Sequence, residues 1–198
     1  IMAAAFSRSQ DKADSFATSH GVEKGYDNLE RMLDGEDLDV VYIGTPDEMH
    51  KEHCLLAMEA GKHVLCEKAL AKNVADAREM YAAAEQNGVM LQDGVWTRFF
   101  PAVEHARSLI ESGEIGDVVM VQSDFESLYT AQAAILAYGA KAKPIHIQVG
   151  GSTSGPGGAI LEYENDRFAI LTFVSYPSEF PEVTEITGTK GRITLEQP

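Results

Sequence analysis

The sequence predicts an α/β protein: a Rossmann-like, doubly wound parallel sheet, incomplete, followed by an α+β domain with a mainly antiparallel sheet. Three observations carry this. Over roughly the first 95 residues, short apolar segments alternate with amphipathic helical stretches through short connections, which is the pattern of parallel strands with right-handed crossovers. Beyond about residue 144, strand-like segments follow one another with only glycine, Asn-Asp and proline turns between them. The composition is that of a globular chain with a real core, 198 residues with 44% hydrophobic and 24% charged.

Taken in order, residues 2–7 read as a short buried strand and residues 12–20 as an amphipathic helix. Residues 28–33 form a second short helix ending near Gly35. The branched run 38–43 is a strand closing on Gly44-Thr45-Pro46, after which Asp47 can cap a helix reaching Ala60, with Gly61 just past its end. Residues 62–66 are a strand. Asn73 caps a helix over 74–87 that stops at Gly88, and residues 89–94 return as a strand. The rhythm then changes. A helix over 101–111 is followed by a strand over 118–124 and a helical segment over 129–137. The strands 145–149, 159–163, 168–175, 182–187 and 192–195 then make an antiparallel meander. The glycine-rich stretch 150–158 reads as a flexible hairpin or surface loop. This divides the chain into a dinucleotide-binding domain over 1–96 and a substrate and dimerisation domain over 97–198.

Charge and cysteine usage narrow the function. Sixteen basic against 31 acidic residues give a formal charge of −15, which repels phosphate backbones, so neither nucleic acid nor an anionic membrane is an expected partner. No apolar run is long enough to span a bilayer, and the opening residues lack the basic leader of a signal peptide. Cys54 and Cys66 form no disulfide framework and sit in no metal-binding spacing, so a reducing, cytoplasmic location is expected and no metal site. The chain begins inside an apolar, strand-like stretch, which reads as a truncated N-terminus.

Ligands of doubly wound sheets bind beyond the carboxyl ends of the strands, so the residues there are the candidates. Lys68 lies just after the strand 62–66; a lysine at that rim can orient and polarise a substrate hydroxyl, the alternative being a surface ion pair with Glu67. Ser7 and Arg8 follow the first strand, with no acid at its end. An acid there binds a ribose 2′-hydroxyl, whereas arginine suits a 2′-phosphate, which favours NADP over NAD. Arg8 as a solvated helix-start residue is the alternative. The G-x-G-x-x-G turn that lets backbone amides approach a pyrophosphate is not in the sequence.

Four segments in order, TPDEMH (45–50), GKHVLCEKAL (61–70), DGVWTRFFPA (93–102) and EITGTKGRITL (185–195), resemble the Gfo/Idh/MocA oxidoreductases. The resemblance implies a nicotinamide-dependent dehydrogenase acting on a sugar, cyclic alcohol or trans-dihydrodiol, with NADP as cofactor and NAD possible. It implies a homo-oligomer formed through the sheet of the second domain. Residue by residue, the family's Glu-Lys-Pro motif falls on Glu67-Lys68, making Lys68 catalytic, with Ala69 standing where proline is expected. Gly44, Thr45 and Pro46 fall where the cofactor loop passes the nicotinamide ribose and pyrophosphate. His50 matches a position commonly occupied by histidine, as a cofactor contact or a structural residue packed under that loop. Trp96 and Arg98 fall at the nicotinamide end of the pocket. Tyr129 matches the tyrosine acid/base of some members, although Phe125 and Ser127 replace the aspartate and glycine that precede it there. Compared with the family, the chain lacks the first strand–turn–helix, a central segment and the C-terminal tail. The competing reading is a non-catalytic binding or scaffold subunit that kept the fold after losing the fingerprint.

Overall fold

A computed structural model describes residues 1–125, 130–152, 155–174 and 182–196. The chain folds as two compact units, Ile1–Val95 and Trp96–Pro198.

In the first unit, five short strands alternate with four helices: β1 (Ala4–Phe6), α1 (Gln10–His20), β2 (Lys24–Tyr26), α2 (Leu29–Gly35), β3 (Val40–Ile43), α3 (Asp47–Glu59), β4 (His63–Cys66), α4 (Val74–Asn87) and β5 (Leu91–Asp93). All pairings are parallel, as the alternation requires, but the strands form two sheets, β1-β2 and β3-β4-β5, where sequence predicted one. Helix boundaries follow local chemistry. The side chains of Asn28 and Asn73 accept the backbone N–H groups of Arg31 and Asp76 at the starts of α2 and α4, and Gly21 and Gly88 close α1 and α4 in the left-handed conformation. Asp47 is the first residue of α3 and not its cap; Pro46 takes the cap position, and the acids Asp47 and Glu48 face the positive end of the helix dipole.

One strand escaped the sequence reading. Lys24-Gly25-Tyr26 is too short and too polar to show a strand pattern, and it is held by register against β1. A glycine is needed there: a Cβ on Gly25 would lie 2.6 Å from the Ala13 carbonyl carbon of α1. A single apolar cluster built on Leu33, Val41, Ile43, Ala57, Met58, Val64 and Met80 joins α2, α3 and α4 to β3 and β4, with Ala4, Phe6 and Tyr26 of the smaller sheet packed against it. The two sheets therefore share one core.

The second unit comprises a 3-10 helix (Trp96–Phe99), α5 (Pro101–Glu111), β6 (Val118–Phe125), α6 (Ala131–Tyr138), β7 (His146–Gly151), β8 (Gly157–Tyr163), β9 (Arg167–Phe173), β10 (Val183–Gly188) and β11 (Arg192–Glu196). Its six-stranded sheet has the order β11-β10-β6-β9-β8-β7. It is antiparallel except that β6 pairs parallel with β9, which corrects the simple meander. β6 takes its place between β9 and β10, so those two consecutive strands do not pair with each other. One face of the sheet, carrying Val121, Ala169, Leu171, Ile186 and Ile193, is covered by α5 and by the alanines of α6. Glycines 150, 151, 157 and 158 lie at the ends of β7 and β8 and pair across the connection, so the glycine-rich stretch belongs to a hairpin whose flanks are strand.

Among the described residues, no helix is long and apolar enough to cross a membrane, and no group of three or more His, Cys, Asp or Glu side chains could hold a metal ion.

Candidate active site

Because β3, β4 and β5 run parallel in the register Ile43↔Cys66↔Asp93, the residues that follow them share one rim: Gly44, Glu67 and Gly94. The backbone ties these turns together. The Glu67 N–H donates to the Ile43 carbonyl at 2.8 Å, and the Gly94 N–H to the Cys66 carbonyl at 2.6 Å. Gly94 must be small, since a Cβ there would sit 3.0 Å from the Cys66 oxygen and 3.1 Å from the Glu67 Cα.

Lys68 is exposed at the end of β4, one residue past the Glu67 carboxylate. That carboxylate is held on both sides. Its Oε1 accepts the Tyr42 hydroxyl at 3.0 Å, and its Oε2 accepts the Lys68 backbone N–H at 3.1 Å. The first bond, with burial and the negative charge of Glu67, raises the pKa of Tyr42. Glu67 thus braces the turn that carries Lys68 by accepting the lysine's backbone N–H. Tyr42 was not singled out in the sequence, where it reads as one more strand residue; only its place two residues ahead of the Gly44 turn marks it.

Two histidines of α3 sit beneath the rim. His50 is fully buried, with Nε2 2.7 Å from the Thr45 carbonyl and Nδ1 2.8 Å from the Ala69 carbonyl. His53, one turn on, places Nδ1 3.2 Å from the Thr45 hydroxyl. Burial lowers the pKa of His53. The Phe6 ring meets His53 edge-on at 5.6 Å, so the end of β1 adjoins the Gly44–Pro46 turn. Ser7 is half-buried and donates its N–H to the Tyr26 carbonyl at 3.0 Å, and Arg8 is exposed just beyond. Below His50, Cys54 and Cys66 are both free and fully buried, and the hydrogen bond between their thiol groups, reinforced by burial, pushes the Cys54 thiol up.

The structure therefore brings Gly44, Thr45, Pro46, His50, Glu67 and Lys68 onto one rim of the first unit, with Ser7 and Arg8 next to it. Trp96 and Arg98 belong to the second unit. Both are exposed on the 3-10 helix, where the Trp96 ring packs edgewise on Phe100 at 5.1 Å and the Arg98 carbonyl accepts from Arg107. Tyr129 lies outside the described residues. The second unit also holds a cavity of about 470 Å³ between its helices and its sheet, lined by Phe100, Val103, Arg107, Phe125, Gln132 and Leu136 among others. Sequence reasoning gave no sign of it, because its walls come from six separate elements.

Residues 2–95 match the family described as "Oxidoreductase family, NAD-binding Rossmann fold". They belong to the Gfo/Idh/MocA oxidoreductases. Similarity extends past that segment. A trans-1,2-dihydrobenzene-1,2-diol dehydrogenase of Xenopus laevis is 34% identical over 95% of this chain, and one of Bos taurus is 32% identical over 96%. The chain spans 64% of the length of each of these relatives. Among solved structures, a probable dehydrogenase from Thermotoga maritima superposes with a TM-score of 0.88 at 19% identity, covering 99% of this chain and 68% of that one. At that identity the likeness bears on the fold alone: a Rossmann-like parallel sheet with a mostly antiparallel sheet domain.

The rim fits a nicotinamide dinucleotide in part. It offers an exposed glycine turn for close backbone approach, an exposed arginine suited to phosphate, and a lysine at the strand end. It offers no glycine-rich pyrophosphate cradle.

Proposed function

We propose that the protein is an NADP-dependent dehydrogenase, with NAD as a possible alternative cofactor, that oxidises a CH–OH group of a sugar, a cyclic alcohol or a trans-dihydrodiol. The observation that carries this reading is the junction of two turns. The Gly44–Pro46 turn and the Glu67–Ala69 turn leave neighbouring parallel strands at the ligand edge of the sheet, and Lys68 stands on the second. The relatives named as dihydrodiol dehydrogenases support the substrate class.

The bound nicotinamide supplies hydride acceptance or donation. This chain's residues do the rest. Lys68 hydrogen-bonds the substrate hydroxyl and stabilises the alkoxide that develops on it, and Tyr129 takes the hydroxyl proton. Gly44, Thr45 and Pro46 lie along the cofactor, with His50 and Glu67 fixing the turns around it. Ser7 and Arg8 receive the 2′-phosphate, and Trp96 and Arg98 border the nicotinamide end. Residues 1–96 act as the dinucleotide-binding domain and residues 97–198 as the substrate and dimerisation domain. The edge strand β7, exposed along all six residues, and the apolar Ile160 of β8 support a homo-oligomer formed through this sheet. Two buried, unbridged cysteines support a reducing, cytoplasmic setting.

The test is reduction of NADP followed by absorbance, using the purified full-length protein and a panel of cyclic trans-diols and aldoses. Turnover on at least one, with NADP preferred to NAD, is expected. Cofactor binding without turnover on any member would instead support the non-catalytic reading.

A further inference from the structure

We propose that His50 is a positioning residue held as an imidazolium, a buried cationic clasp that fixes the Lys68 turn against the Gly44–Pro46 turn. The inference rests on the dehydrogenase reading for its consequence in turnover, but not for its structural content.

The argument is one of donors and acceptors. A neutral imidazole has one N–H and one bare nitrogen; only the protonated ring has two donors. His50 presents both nitrogens to carbonyl oxygens, Thr45 at 2.7 Å and Ala69 at 2.8 Å, and carbonyls can only accept. With a neutral ring, one of these contacts would set lone pair against lone pair in a fully buried site, where an unmade hydrogen bond is costly. The two carbonyls belong to the two turns that flank the proposed hydride-transfer site, on β3 and β4, so one ring joins them across the sheet. His53 provides the internal contrast. It stands one turn along the same helix, but its partner is the Thr45 hydroxyl, which either donates or accepts, so nothing there requires a second proton.

The surroundings agree. Burial works to lower the pKa of His50, yet the carbonyls of Ala69 and Thr45, with the negative potential of Cys66 and Asp47, turn the net shift upward. Cys66 faces it from β4, and Asp47 and His53 from its own helix. The Asp76 and Glu79 carboxylates of α4 are bound by Lys51. The sign follows. A pKa raised on folding gives a contribution that is complete below the unfolded value and is lost as pH rises through the folded value. The clasp therefore opens on the alkaline side of 6.5, the ordinary imidazole value.

The experiment is nitrogen NMR of the protein with isotopically labelled histidine, titrated from acid to alkaline pH, with His50→Gln used to assign the resonances. Both ring nitrogens of His50 are expected to carry protons at pH 6.5, with a midpoint above that of His53. A bare ring nitrogen on His50 at pH 6.5 would overturn the proposal. Should His50→Gln fail to fold, through-bond assignment in the unaltered protein gives the same answer. In turnover, His50→Gln, whose two N–H groups sit on one nitrogen and so do not reproduce donors on two separate ring atoms, is expected to lower kcat about tenfold or more, with a smaller change in KM. It is also expected to alter the alkaline limb of the pH profile; an unchanged kcat and profile would contradict the positioning role. If the unaltered protein shows no turnover, the dehydrogenase reading fails while the ring titration still decides the clasp.

Discussion

Two corners of the first unit's rim are built differently. Where β3, β4 and β5 end, the turns are tied to one another by backbone hydrogen bonds, by the Glu67 carboxylate and by His50. Where β1 ends, a single described backbone bond from Ser7 to Tyr26 anchors the strand end, and Arg8 stands exposed beyond it. The difference matches the two tasks assigned to them. A group that must meet a reacting hydroxyl needs a fixed position, because small misplacements cost much rate. An arginine that grips a phosphate through charge and a planar fork tolerates a mobile approach.

Perturbing the fixed corner from below should have the largest effect. Met58 of α3 is fully buried in the shared core, and Met58→Ala is expected to cost about 2–5 kcal/mol of stability by leaving a cavity, measurable by urea unfolding. At the open corner, Arg8→Ala should leave the fold intact and weaken NADP binding by about 10- to 100-fold, with little change for NAD, since it removes charged hydrogen bonds made only to the 2′-phosphate. Equal losses for both cofactors in calorimetry would contradict the role given to Arg8.

A subtler test inserts one carbon into the fixed corner. Gly94→Ala places a Cβ against the backbone of Cys66 and Glu67, and about 1–3 kcal/mol of destabilisation is expected, with turnover reduced through the displaced Lys68 turn. The smallest effect should come from Lys51, which ties α3 to α4 through Asp76 and Glu79. Its bond to Asp76 lowers that carboxyl's pKa. The associated stability is present above the ordinary aspartate range and fades as pH falls through the lowered value. Lys51→Met should therefore narrow the stability difference between neutral and acid pH only slightly.

Much of this was legible in the sequence. The helix with its Asn73 cap and Gly88 stop declared itself, as did the change from alternating to strand-rich segments, because capping and periodicity are local. Lys68 and Gly44–Pro46 could be placed at the rim since each comes just after an apolar run. What stayed hidden depends on contacts distant in sequence. Lys24–Tyr26 is a strand only because β1 lies beside it. The parallel β6–β9 pair joins segments more than 40 residues apart in the register Met120↔Phe168. The role of His50 could not be read without knowing that Thr45 and Ala69 turn their carbonyls toward it. Tyr42 was invisible for the same reason: its partner Glu67 lies on the neighbouring strand's end.

The most direct measurement is the turnover number of Lys68→Ala beside that of the unaltered protein, with NADPH binding followed in parallel by fluorescence. The account predicts a loss of about 10²- to 10⁴-fold in kcat with cofactor affinity nearly retained. A Lys68→Ala protein that turns over at the unaltered rate would contradict it.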